Sequence, residues 1–222
     1  MTPAGLVVLI SGRGSNAMAI ADAVAQQRVP ARINAVIADR PANGLQALAK
    51  RGIDTALVAR AAFAERAAFE QSLAEVIEGY APELIVLAGF MRVLSRGFVQ
   101  RFDRRMINIH PSLLPGFRGL HTHARALAAG EREHGASVHW VTHELDAGPV
   151  IAQAPVAVRA DDSPETLAAR VLEQEHRLYP ATVALLLSKP VSQRYDYFSN
   201  KNAFRLDRDF DAAGRWVQHR GD

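Results

Sequence analysis

Leu6-Val7-Val8-Leu9-Ile10-Ser11-Gly12-Arg13-Gly14-Ser15-Asn16 starts as an unbroken aliphatic run and gives way at once to a glycine loop. A continuous run of this kind is the pattern of a strand covered on both faces. Beyond the loop, Met18, Ile20, Ala21 and Val24 recur at helical spacing, so the stretch predicts strand, glycine loop and helix. Glycines let a backbone approach a ligand, the first amides of a helix are unpaired, and the helix dipole favours an anion. A phosphate therefore suits this turn. Ser15 and Asn16 also suit a helix cap, which a bound phosphate does not exclude.

Gly12 to Ala17 fits the dinucleotide fingerprint G-x-G-x-x-A, and Asp39 follows the next expected strand, Ile33 to Ala38, where a ribose-binding acid would lie. The pattern is short, and nothing else in the chain looks like a hydride-transfer site. A nicotinamide-dependent enzyme is therefore a minor alternative. Further along come a helix around Asn43 to Arg51, a short strand Thr55 to Val58, a helix from about Phe63 to Gly79, and the buried strand Leu84 to Ala88. The alternation predicts an α/β fold of Rossmann-like type, a mostly parallel sheet with helices on both faces. In such sheets ligands bind beyond the carboxyl ends of the strands, so the glycine loop, Gly89 to Leu94 and the loop after His110 are expected at one edge. Met91, Val93 and Leu94 taken singly fit loop packing equally well.

Met106-Ile107-Asn108-Ile109-His110-Pro111-Ser112-Leu113-Leu114-Pro115 is the stretch richest in chemistry. Alternation along a strand puts Asn108 and His110 on one face and Ile107 and Ile109 on the other. A carboxamide and an imidazole side by side at a strand's end suit a developing oxyanion, though the same residues could merely finish a core strand.

Six of the eight histidines fall between His110 and His143. His121-x-His123 has ligand-like spacing, but no acid lies within that segment and the chain has no cysteine, so no metal is expected. Gly135 to Val141 alternates as a strand, with Val138 and Trp140 on one face and Ser137, His139 and Val141 on the other. Val150 to Val158 reads as a further strand, an antiparallel addition in the C-terminal half. Asp146 sits in the turn between them. It suits a plain turn former, and opposite His110 it would orient the imidazole and favour its charged form. Ser163-Pro164 starts a helix that Pro180 should interrupt, with Ala181 to Leu187 continuing as a second apolar segment. After Lys189-Pro190, aromatic and charged residues mix in a peripheral extension, expected as a hairpin with a frayed end from Gly214. Aspartates interleaved there favour a packed appendage or a homodimer surface over nucleic-acid binding.

Composition narrows the function classes. At 222 residues with 49% hydrophobic and 22% charged residues, the chain can bury a substantial core. No apolar run reaches membrane-spanning length, and the start carries no signal-peptide pattern, so a soluble, cytoplasmic protein without membrane partners is expected. Lacking cysteine, it has no disulfide framework and no thiol nucleophile. A net charge of +3 argues little for nucleic acid and suits a small anionic substrate.

The motifs taken together resemble the phosphoribosylglycinamide formyltransferases, a family of folate-dependent purine-synthesis enzymes. They are Ser11 to Asn16, Leu87 to Leu94, Asn108 to Pro115, Gly119 to His123, His134 to His139, Glu144 to Asp146 with Gly148-Pro149, and Gln174 to His176. Order and spacing make the set specific over nearly the whole length. The resemblance implies a catalytic domain over 1–190, with a phosphate-binding half at about 1–105 and a folate and catalytic half at 106–190, followed by the extension 191–222. It implies that Gly14, Ser15 and Asn16 hold the substrate phosphate, with Glu175 at the ribose. Arg66, Met91, Arg92, Val93 and Leu94 would contact 10-formyltetrahydrofolate, the co-substrate. Asn108 and the backbone of His143, Glu144, Leu145 and Asp146 would also contact it, the latter at the pterin. Asn108, His110 and Asp146 would be the catalytic group, and the partners only small molecules. Arg118 stands where the family usually has proline, and Ala147 where it has glycine or another small residue. The latter matters only if the turn needs a positive φ there. A folate-dependent deformylase using water, or a nucleotide-binding module without enzyme activity, are the alternatives.

Overall fold

The aliphatic run becomes strand β1 (Ala4–Ile10), in which Leu6 to Ile10 are all fully buried. The computed structural model describes residues 3–199, 203–211, 214 and 217. Two compact units divide between Asn108 and Ile109.

In the first unit β1 is followed by α1 (Ser15–Ala25), β2 (Ala31–Ala38), α2 (Asn43–Ala49), β3 (Thr55–Leu57), α3 (Arg66–Gly79), β4 (Leu84–Leu87), α4 (Arg96–Arg101) and the start of β5 (Met106–His110). The strands lie in the order β3-β2-β1-β4-β5, every pair parallel. Parallel neighbours need crossover helices, which cover the sheet and allow Leu84 to Leu87 to be aliphatic at every position. Helix α3 begins three residues later than expected, because Phe63 is extended after a short 3₁₀ turn at Arg60–Ala62.

The second unit takes up the last two residues of β5 and continues with α5 (Thr122–Ala128), β6 (Glu133–Trp140), β7 (Val150–Ala157), α6 (Pro164–Leu187), α7 (Val191–Ser199) and β8 (Phe204–Arg205). Here β6 and β7 are antiparallel, β8 runs parallel to β7, and α6 packs across β6 and β7. The result is the expected α/β class, a mostly parallel sheet with an antiparallel addition in the C-terminal half. A register shift at Val138/His139 breaks strict alternation, and Ser137, Val138, His139 and Trp140 are all buried.

Two local expectations are corrected. Helix α6 runs through Pro180 for 24 residues instead of breaking there. The proline lacks a donor, yet it is buried within the helix's packed stretch, and the Thr182 hydroxyl donates to the Leu178 carbonyl at 2.7 Å one turn below. The extension is not a hairpin over its described part. It forms α7, with Phe198 buried on Phe204 at 5.9 Å between ring centroids, and then the short β8. The frayed end expected from Gly214 lies outside the described residues except at Gly214 and Val217.

Candidate active site

The glycine loop turns on Gly14, which caps α1 in the left-handed region at φ 69° and makes no side-chain cap bond. The cap is therefore neither Ser15 nor Asn16. Its carbonyl accepts the Met18 amide at 2.9 Å, while Ser15 is half-buried and Asn16 buried in the first turn. Gly44, at the start of α2, lies against this loop and donates its amide to the Gly12 carbonyl at 3.2 Å. A Cβ at Gly44 would come within 2.9 Å of the Gly12 and Arg13 carbonyl oxygens and within 2.8 Å of Ile10 Cδ1.

Beside it runs the segment after β4. Ser11 donates its amide to the Gly89 carbonyl at 3.1 Å, and the Ser11 hydroxyl accepts the Met91 amide at 2.8 Å. Arg92 Nε donates to Asp39 Oδ2 at 2.5 Å, and Arg40 Nη2 reaches the same carboxylate at 3.3 Å. Burial alone would raise the Asp39 carboxyl. Hydrogen bonds from Ser11, Arg92 and Arg40 outweigh that and hold it below the usual carboxylate range. Asp39 is thus turned inward and engaged, so it does not offer itself to a ribose as the dinucleotide alternative requires. Arg66 donates from Nε to Glu70 at 2.7 Å and from Nη2 to the Val93 carbonyl at 2.6 Å. Glu70 in turn accepts the Ser95 amide at 2.9 Å and the Ser95 hydroxyl. The segment from Met91 to Ser95 is thereby held at both ends, with Met91 and Val93 about 60% exposed between the holds.

In the second unit His110 and Asp146 meet. His110 Nδ1 lies 3.2 Å from Asp146 Oδ2, and His110 Nε2 lies 3.0 Å from the Phe117 carbonyl oxygen. Both ring nitrogens face acceptors, and an imidazolium is the form that donates to both. The Gly119 amide also donates to Asp146 Oδ2, at 3.0 Å, and His139 Nε2 approaches Oδ1 at 3.7 Å. His139 directs Nδ1 to the Trp140 carbonyl at 2.9 Å, and burial pushes its pKa down. Asp146 adopts φ 49°, a left-handed conformation that aspartate tolerates better than most residues. The strained position is Asp146 itself and not Ala147, which settles the question raised by the alanine. Gly148 is required two residues on, since a Cβ there would fall 1.8 Å from the Trp140 oxygen.

The loop after His110 is fixed by groups from three directions. The Ser137 hydroxyl donates to the Ser112 carbonyl at 2.7 Å and accepts the Leu114 amide at 3.0 Å, and Gln153 donates to the Leu114 carbonyl at 3.0 Å. Thr122 donates to the Pro111 carbonyl at 2.6 Å. His134 also bonds the Pro111 backbone, and burial brings its pKa down to about 4. Its Nε2 meets His123 Nδ1 at 3.2 Å, so both rings of this pair serve structure. Burial also lowers the His123 pKa. Arg125 stacks on Phe117 at 5.5 Å and donates to the carbonyl of the exposed Arg118 at 2.6 Å. Among the described residues no group of three His, Asp or Glu is arranged to hold a metal.

Asn108 shares β5 with His110 two residues on, and its backbone pairs with Leu87. His143, Glu144 and Leu145 are exposed beside Asp146. Glu175 is buried on α6, and its charge adds to the burial that drives the Tyr179 hydroxyl upward. Sequence reasoning missed Phe117, Gly119 and His139 around His110, and Asp39 and Glu70 as holds on the Met91 segment. The first two act through backbone atoms, which carry no residue signature. His139 stood in a quoted motif without a role.

Comparison with known proteins places these features in context. The formyl transferase family matches residues 4–183. Phosphoribosylglycinamide formyltransferase of Escherichia coli K12 is 49% identical over 180 residues, covering 81% of this chain and 85% of that protein. The trifunctional purine biosynthetic protein adenosine-3 of Bos taurus is 41% identical over 189 residues, and the match spans 19% of its length. The solved phosphoribosylglycinamide formyltransferase of Coxiella burnetii superposes with a TM-score of 0.79 at 50% identity, covering 82% of this chain and 86% of that one.

Proposed function

This chain belongs to the formyl transferase family, and on that premise we propose that it transfers the formyl group of 10-formyltetrahydrofolate to the amine of 5'-phosphoribosylglycinamide in purine biosynthesis. The observation that carries this reading is the His110 ring, held between the Asp146 carboxylate and the Phe117 carbonyl on the strand that also carries Asn108.

The substrate amine attacks the formyl carbon directly, since the chain has no thiol and no nucleophile elbow. The carbon–nitrogen bond forms and the carbonyl electron pair moves onto oxygen. His110 Nε2–H exchanges the Phe117 carbonyl for that oxyanion, and the Asn108 carboxamide donates a second hydrogen bond. Asp146 keeps the imidazole charged and oriented and takes part in moving the amine's proton to the folate nitrogen. Collapse of the intermediate then breaks the bond between the formyl carbon and that nitrogen, leaving tetrahydrofolate and the formylated amine.

Gly14, Ser15 and Asn16 are assigned to the phosphate, where α1 starts without a side-chain cap. Glu175 is assigned to the ribose. Met91, Arg92, Val93 and Leu94 are assigned to the folate, with Arg66 fixing the Val93 carbonyl, and the exposed apolar side chains of Met91 and Val93 suit a flat aromatic partner. His143 to Asp146 would hold the pterin through backbone groups. The test is tetrahydrofolate release from the 10-formyl donor with and without phosphoribosylglycinamide. Release that requires the amine is expected; release indifferent to it would replace the transferase reading with a hydrolase.

A further inference from the structure

Three loops of the first unit converge on one buried carboxylate. Asp39 follows β2, Ser11 follows β1, and Met91-Arg92 come after β4. The Met91 amide donates to the Ser11 hydroxyl, which spends its own proton on Asp39, while Arg92 donates to Asp39 directly. Ser11 is joined through Gly12 to the glycine loop. Ser11 thus bonds the segment after β4 directly, and the Asp39 carboxylate, whose side chain is fully buried and paired with two guanidinium groups, is the group that holds the Ser11 hydroxyl and Arg92 together.

We infer that Asp39 is a positioning residue that couples the loop assigned to the phosphorylated amine with the segment assigned to the folate, so that filling one tightens the other. The inference rests on the loop assignments of the proposed function. The physical reason is entropic. A ligand that orders Ser11 to Asn16 also orders Met91 and Arg92 through the shared carboxylate, and the second ligand then meets a segment already held. Coupling of this kind is reciprocal.

Glu70 provides the contrast within the same unit. It holds the far end of the same segment through Arg66 and Ser95, and none of these bonds reaches the glycine loop. Loss of Glu70 should weaken the folate segment alone, whereas loss of Asp39 should weaken both loops and break their communication.

The experiment is calorimetric titration of tetrahydrofolate, which has no formyl group to transfer, with and without saturating phosphoribosylglycinamide. Turnover of each variant is measured alongside. For the unmodified chain the amine substrate should tighten tetrahydrofolate about fivefold or more. In Asp39→Asn that ratio should fall to about one, with both ligands weakened about tenfold and kcat kept within about threefold. Glu70→Gln should weaken tetrahydrofolate while leaving the ratio intact. Ser11→Ala leaves both arginines on Asp39 and still removes the relay to Met91, so it too should abolish the ratio, and it carries the test if Asp39→Asn does not fold. An unmodified chain that turns over but shows no coupling overturns the inference alone, as does a ratio that survives Asp39→Asn or Ser11→Ala. A chain with no formyl transfer overturns the proposed function and the inference with it.

Discussion

The segments assigned to the ligands in the first unit and the surroundings of His110 in the second are held by different means. In the first, buried carboxylates are charged and met by arginine, Asp39 by Arg92 and Arg40, Glu70 by Arg66. In the second, His134, His123 and His139 have their pKa values pushed down by burial, and His134 and His139 are also spent on backbone carbonyls. The ion pairs fix where backbone segments lie, which is what binding loops need. The buried imidazoles pack around the His110–Asp146 pair and fix the loops that carry it, which is what the proposed chemistry needs. Perturbing the end of β5, where the units divide at Asn108, or the groups around His110 should therefore cost turnover, and perturbing the ion-paired segments of the first unit should cost affinity.

The largest effect should come from the two residues proposed as oxyanion donors. His110→Ala and Asn108→Ala should each lower kcat roughly a hundredfold to thousandfold, with substrate dissociation constants nearly unchanged. A loss confined to affinity would erase the contrast between the units. Asp146→Asn should follow, at about a hundredfold in kcat, because the amide keeps the turn but no longer favours a charged ring. Its steady-state rates across pH check this, and an unaltered profile would remove Asp146 from proton transfer. On the binding side, Gly44→Ala should raise KM for the phosphorylated substrate about tenfold with kcat largely kept, since the added methyl presses on the Gly12 and Arg13 carbonyls. An unchanged KM would detach the glycine loop from that substrate.

The smallest effect is on stability. Folded, His134 stays neutral down to about 4, whereas the unfolded chain takes up the proton near its ordinary value of 6.5. Between those values the unfolded state binds more protons, so the contribution of His134 is fully present above 6.5 and is lost as pH falls towards 4. Denaturant midpoints across that window should fall less steeply for His134→Gln than for the unmodified chain. His123, His139 and His176 shift in the same direction, so some slope should remain.

The first unit was the more legible in the sequence, and the reason is physical. Its strands are aliphatic at successive positions because helices cover both faces, and Gly14 is where the backbone needs a positive φ, so pattern and structure coincide. Met106 to His110 was equally plain. Around His110 the signal fades. Asp146 was reached through the turn with Gly148-Pro149 and through the family resemblance, but the Phe117 carbonyl that meets the ring's other nitrogen and the Gly119 amide that holds the Asp146 carboxylate are backbone groups. Ser137 and Gln153 lock the loop from β6 and β7, and an alternating strand pattern cannot say which of its polar residues will do this. Pro180 misled because its local cost was overridden by packing along α6. Asp39 misled for a different reason, since an acid after the second strand looks the same whether it faces a ribose or two arginines.

The most direct measurement is the product balance in a single reaction mixture, counting tetrahydrofolate released against formylated amine formed. The mechanism of direct attack predicts equal amounts at every time point. Tetrahydrofolate appearing in excess, matched by free formate, would contradict it.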